Sequence, residues 1–144
     1  MIALKKQIFS FFIAVMMVFA SFVIPASAEV HEGKFSDGLY WSLDTKTGVL
    51  TISGEGKMDT EYSGEPWRDY DGMFTSVVIE EGVTSISRYA FAKMYSIESV
   101  SIPTTMGSIG FNAFSHLTGL QYVNYAGTEE AWNKIDIDLS GEGH

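Results

Sequence analysis

The sequence predicts a solenoid, a chain wound into stacked coils that each add one short strand to a parallel sheet. Three observations carry this. The stretches SVVIEEGVTSISRYAF (Ser76 to Phe91) and SVSIPTTMGSIGFNAF (Ser99 to Phe114) are near copies at a fixed spacing, Ser76 recurring as Ser99, and a fixed period of that length marks a repeat architecture. When Ser76 to Glu98 is aligned with Ser99 to Gln121, seven positions are identical: Ser76/Ser99, Val77/Val100, Ile79/Ile102, Ser85/Ser108, Ile86/Ile109, Ala90/Ala113 and Phe91/Phe114. The matched positions are mostly apolar and the unmatched ones mostly polar, which separates inward from outward side chains. One coil cannot bury its apolar edge alone, whereas stacked coils share a continuous core.

The segment 1–28 reads as a secretory signal peptide. Lys5 and Lys6 precede an apolar run from Ile8 to Ile24, then Pro25 and Ala26-Ser27-Ala28, which places the cut between Ala28 and Glu29. The alternative is an uncleaved membrane anchor, for which the run is near the lower length limit. Cleavage leaves 29–144, enough for one small domain. It also leaves seven basic against 18 acidic residues, a net charge of −11. That sign disfavours nucleic acid as a partner, and anionic membrane surfaces after cleavage. The chain has no cysteine. An exported protein is free to use disulfides; this one must hold by packing alone, and it has no cysteine on which to carry a lipid. The expected location is secreted, or held non-covalently at the extracellular surface.

Residues 29–37 read as a flexible N-terminus, and residues 38–72 as an N-terminal hairpin and capping region. Tyr40, Trp41 and Leu43 lead into Asp44-Thr45-Lys46-Thr47-Gly48, and Val49-Leu50-Thr51-Ile52 follow. Two β-prone runs around a short Gly-ended loop read as a hairpin. It would cover the open end of the stack, where exposed apolar surface aggregates. Pro66-Trp67-Arg68-Asp69-Tyr70 reads as the approach to a helical turn, with Trp67 sealing the join.

Residues 73–138 hold the repeats and a C-terminal cap. Phe74-x-x-Val77-x-Ile79, Ile97-x-x-Val100-x-Ile102 and Leu120-x-x-Val123-x-Tyr125 are three L-x-x-L-x-L copies, each 23 apart. The last two apolar residues of each share one face of a short strand, and the period lies within the range of leucine-rich repeats. Ile79-Glu80-Glu81-Gly82 and Ile102-Pro103 end the strands. Ser85-Ile86 and Ser108-Ile109 suggest a second very short strand. The pairs Ala90-Phe91 and Ala113-Phe114 predict a helical turn with the two Phe rings stacked coil on coil. Thr128 before Glu129-Glu130-Ala131-Trp132 suits an N-capped short helix closing the carboxyl end. Residues 139–144 read as a tail. The predicted class is thus a leucine-rich-repeat solenoid of short parallel strands and short helical turns, with a β-hairpin cap and a short helix cap.

Taken together, WSLDTKTGVLTISGEGKM, PWRDY, the two long repeats and YAGTEEAWNKI resemble the BspA-type leucine-rich repeat proteins of bacterial cell surfaces, over roughly residues 38–137. The resemblance implies a right-handed β/α superhelix and an extracellular, adhesion-like role. Family repeats often carry Cys after the Ala-Phe pair; Met94 and Leu117 stand there in this chain, which keeps an apolar core position.

No residue pattern points to catalysis, and no cofactor is implied. Ser53-Gly54-Glu55-Gly56-Lys57-Met58 fails as a phosphate loop, because Thr51 and Met58 occupy positions that need Gly and Ser or Thr. Asp136-x-Asp138 lacks the rest of a calcium loop. His31, His116 and His144 are scattered, and His116 falls where the previous coil has Lys93. Glu80-Glu81 and Glu129-Glu130 suit turns and a helix start. What remains is the outward strand face. Its candidates for contact with an extracellular protein or glycan are Ser76, Val78, Ser99, Ser101, Tyr122 and Asn124, led by Tyr122 because Tyr is enriched at interfaces. Trp41, Trp67 and Tyr70 are rival contacts. The alternative role is a structural or assembly domain, self-associating end to end or surviving from a longer repeat protein without a ligand of its own.

Overall fold

The computed structural model describes residues 29–58 and 64–140. The predicted leader, 1–28, lies outside the described residues, as do 141–144 of the tail. Two sheets form the body. The larger has six strands: β1 (Val30–Ser36), β2 (Leu39–Asp44), β3 (Val49–Gly54), β5 (Ser76–Ile79), β7 (Ser99–Ile102) and β9 (Tyr122–Tyr125), in that spatial order. The smaller runs β10 (Asp136–Ile137), β8 (Ser108–Ile109), β6 (Val83–Ile86) and β4 (Gly56–Lys57), all parallel. Each coil leaves the large sheet through a tight turn, enters the small one, and returns.

The repeat register is as the sequence spacing requires. Ser76 pairs with Ser99 and Ser99 with Tyr122. The hairpin's second strand does more than cap. β3 pairs antiparallel with β2 but parallel with β5, with Leu50 opposite Val77 and Ile52 opposite Ile79. It is therefore the first rung of the parallel stack. The coil it opens, from Leu50 to Val77, is longer than the next, from Val77 to Val100.

The predicted flexible segment 29–37 is instead β1, paired antiparallel along β2. Its inward residues explain the order: Phe35 meets Trp67 edge-on at 5.0 Å, and His31 lies 4.4 Å from Tyr70, ring to ring. Gly33 sits where a side chain would press on Trp41, its Cβ falling 3.0 Å from the indole nitrogen.

The core is one continuous cluster from Leu39 to Ile135. Leu50, Ile52, Val83, Phe91 and Ile97 are wholly buried, each such side chain contributing about 1.5–3 kcal/mol. Trp67, Phe91 and Phe114 stack in sequence, with centroids 5.4 and 5.5 Å apart. Gly82, at φ +103, lets successive coils close up, since a Cβ there would fall 2.4 Å from the Gly54 carbonyl oxygen.

The turns around the two Phe residues are not helical, which corrects the sequence reading. Tyr89, Lys93, Asn112 and His116 all have φ between 54° and 64°. Alternate N–H groups therefore point along the stack. Those of Tyr89, Phe91 and Lys93 donate to the carbonyls of Phe111, Ala113 and Ser115 in the next coil, while those of Ala92 and Met94 close turns within their own. Inter-coil bonds take the place of the i to i−4 bonds of a helix. Helix is accordingly scarce among the described residues: a 3-10 helix at Pro66–Tyr70 and α1 (Glu129–Trp132). The molecule is a β-solenoid rather than a β/α superhelix. In the first coil side chains meet the next coil's carbonyls. Trp67 Nε1–H donates to Ala90 O at 3.1 Å, and the Arg68 guanidinium to Tyr89 O and Ala92 O. Arg68 also pairs at 2.8 Å with Glu65, whose side chain is wholly buried.

Candidate binding face

The six predicted contact residues fall into two columns across the large sheet. Ser76, Ser99 and Tyr122 align at the strand starts, and Val78, Ser101 and Asn124 align two residues on. β3 extends the columns with Val49 and Thr51. Because Val77, Ile79, Val100 and Ile102 are buried on the other side, these side chains must point outward. Ser76, Val78, Ser99 and Ser101 are half-exposed, and Asn124 is exposed. Tyr122 is 63% exposed, more than any other Phe, Tyr or Trp among the described residues. Ser99 Oγ–H donates to Ser76 Oγ at 2.9 Å, tying the first column together.

An open groove of about 550 Å³ runs past the carboxyl ends of β5, β7 and β9. Ser101 and Asn124 line it; Ser76, Ser99, Tyr122 and Val78 do not. The structure thus joins two of the six predicted residues to a concave feature and leaves four on the flat face beside it. Glu80, Pro103 and Ala126 line the same groove. They stand one period apart, so the repeat that aligned the strands also contained this column. From the sequence alone, Glu80 and Pro103 are legible only as residues that end strands. Tyr125, read as an inward repeat residue, borders the groove too and meets Trp132 at 5.3 Å.

These two columns carry no charge. None of Val49, Thr51, Ser76, Val78, Ser99, Ser101, Tyr122 and Asn124 is ionisable near neutral pH, although the chain has twice as many acidic as basic residues. Charge enters at the groove rim. The Glu81 carboxylate accepts from Thr104 N at 2.8 Å, from Thr104 Oγ1, and from Thr105 N at 3.2 Å. The Thr104 backbone bond is the largest cause holding its pKa below the usual carboxylate value, followed by an opposing effect of burial and then the other Thr bonds. Glu81 is thereby committed to holding two coils together. Glu80 is exposed. Of the rival contacts, Trp41 and Trp67 are buried in the core and Tyr70 is half-buried against His31 and Trp41. His116 is exposed and shares the left-handed turn geometry of Lys93. No cluster of three or more His, Asp or Glu side chains suited to a metal ion occurs among the described residues.

The parallel register, the repeated coil and the stacked turn aromatics define a leucine-rich-repeat solenoid. More particularly, the chain matches the BspA type leucine-rich repeat region, in six copies, over residues 70–135. It is similar to the solved structure of a leucine-rich repeat protein from Eubacterium ventriosum. That match has 31% identity and a TM-score of 0.62, and covers 68% of this chain but only 26% of the other. A leucine rich cell surface protein from Faecalibacterium prausnitzii matches with 16% identity and a TM-score of 0.37, over 74% of this chain and 42% of that one. No curated protein matches.

Proposed function

We propose that this protein is a secreted or cell-surface, non-catalytic binding module that presents its strand face to an extracellular protein or glycan. One observation carries the reading: the register sets hydroxyl, amide and tyrosine side chains in two straight, uncharged columns, the second of which reaches the groove through Ser101 and Asn124. Such a surface offers hydrogen bonds and an aromatic platform without the desolvation cost of a charge. Among the described residues no helix is long and apolar enough to cross a membrane.

The test is capture on immobilised glycans and on extracellular-matrix or bacterial-surface extracts. Tyr122→Ala and Asn124→Ala are expected to weaken capture at least about tenfold, the effect of losing about 1.4 kcal/mol, with far-UV circular dichroism unchanged. Capture indifferent to both substitutions places the binding surface elsewhere. A second reading, an assembly domain without a ligand of its own, is favoured by the exposed apolar residues Tyr122, Val123, Ile137 and Leu139 at the last coil.

A further inference from the structure

The groove past the ends of β5, β7 and β9 differs from the columns beside it in charge. Ile79, Ile102, Pro103, Tyr125 and Ala126 give it a mostly apolar lining. Glu80 and Glu81 line it too, whereas no Lys, Arg or His does. The two carboxylates are not equivalent. Glu81 is bound to Thr104 and Thr105. Glu80 is fixed by its backbone, its N–H donating to Ile52 O at 2.9 Å. Its side chain is exposed and meets no donor or cation among the described residues. The same position in the next two coils is Pro103 and then Ala126, so the repeat supplies neither a second carboxylate nor a balancing cation.

We propose that this groove takes a basic side chain, lysine or arginine, of an extracellular protein, with the cation at Glu80 and the stem along the apolar lining. The inference rests on the reading of the strand face as a binding surface and names the partner's chemistry at its groove end. Charge complementarity selects the occupant. The chain has a net charge of −9, and a field of that sign draws cations toward it. An anionic ligand would meet two carboxylates and no cation. A neutral ligand would strip water from Glu80 and leave it unpaired, which costs free energy. Lysine and arginine instead join an apolar stem to a charged head, the combination that this lining and this carboxylate match. Tyr125 adds an aromatic surface for the same cation. An amino sugar brings the charge without the apolar stem, its ring being hydroxylated on all sides.

The experiment is an NMR titration of the protein with a blocked trilysine peptide, at low and high salt. The same peptide acetylated on every side chain and a glucosamine trisaccharide serve as comparisons. The expected result is a set of amide shifts centred on Ile102, Asn124 and Ala126, weakening as salt rises and lost with the acetylated peptide. Glu80→Gln should weaken trilysine binding about threefold or more, as a part-exposed ion pair allows. Glu32→Gln, which removes a likewise exposed carboxylate on β1, should change it little. Ser101→Lys, at a half-exposed position in the groove, should abolish it by placing a cation there. Shifts spread over the acidic surface, equal losses from Glu80→Gln and Glu32→Gln, undiminished binding of the acetylated peptide, or no binding each overturn the proposal. Tighter binding of the trisaccharide overturns it too and assigns the groove to a cationic glycan. The two readings fail separately. Capture from extracts that falls with Tyr122→Ala but not with Glu80→Gln keeps the binding face and removes the cation site; capture indifferent to Tyr122→Ala, with trilysine still shifting the groove, does the reverse.

Discussion

Glu81 shows how one side chain ties two coils. Its carboxylate takes the N–H groups of the turn that opens the next coil, and these bonds favour the charged form. The unfolded chain offers no such bonds, so the folded pKa lies below the unfolded one. The stability this adds is fully present above the ordinary carboxylate range and is lost as pH falls through the folded value. Glu81→Gln is therefore expected to lower the melting temperature near neutral pH, with the gap to the parent protein closing in acid. Melting curves of both proteins across pH check this; a gap that stays constant down to strong acid would contradict it. Tyr89, Lys93 and His116 hold a left-handed φ that only the fourth such residue, Asn112, adopts with ease. Their side chains give no sign of it, and this is why the turns read as helical in the sequence.

At the scale of elements, the aromatic stack is the spine of the turn side. Phe91 is wholly buried between Trp67 and Phe114, whereas Phe114 is half-buried and, among the described residues, has a ring neighbour on one side only. Phe91→Ala should cost about 3–5 kcal/mol. Phe114→Ala should cost about 1–2 kcal/mol, in keeping with partial burial. Urea titrations measure both, and equal losses would mean that the stack does not end at Phe114. The helix α1 follows the sequence reading at its start, where the Thr128 hydroxyl accepts from Ala131 N at 3.2 Å. Its place in the chain differs from that reading. After α1 the chain re-enters the small sheet as β10, where Asp136 pairs with Ser108, as Ser108 pairs with Ser85 one coil earlier. The step from Ser108 to Asp136 is the longer of the two, so α1 is an insertion within the last coil rather than a closing cap.

Over the whole molecule, the two ends are finished unequally. β1 and β2 cover the first coil, with Phe35 against Trp67 and His31 against Tyr70. Deleting residues 29–37 is expected to cost at least about 3 kcal/mol, on the scale of burying one or two large side chains, and to promote aggregation by uncovering β2. Thermal unfolding with light scattering reads both effects. Unchanged melting would show that β1 adds nothing to the fold. The last coil buries Ile135 but leaves Val123 half-exposed.

The period and the apolar pattern by themselves determined the coil, its register and its inward faces, because a regular repeat of Val-x-Ile permits one alignment that buries both side chains. They also marked out the face, since whatever does not point inward on a strand must point outward. Tertiary structure alone decided three matters. It turned 29–37 from a loose end into a strand, because Phe35 and His31 find their partners in Trp67 and Tyr70, far along the chain and beyond the whole hairpin. It made the Ala-Phe turns non-helical, because their N–H groups find carbonyls in the neighbouring coil that local propensity cannot anticipate. And it set Ser101 and Asn124 in a groove while leaving Tyr122 on the flat, because concavity arises where stacked strands end together, which no single strand records.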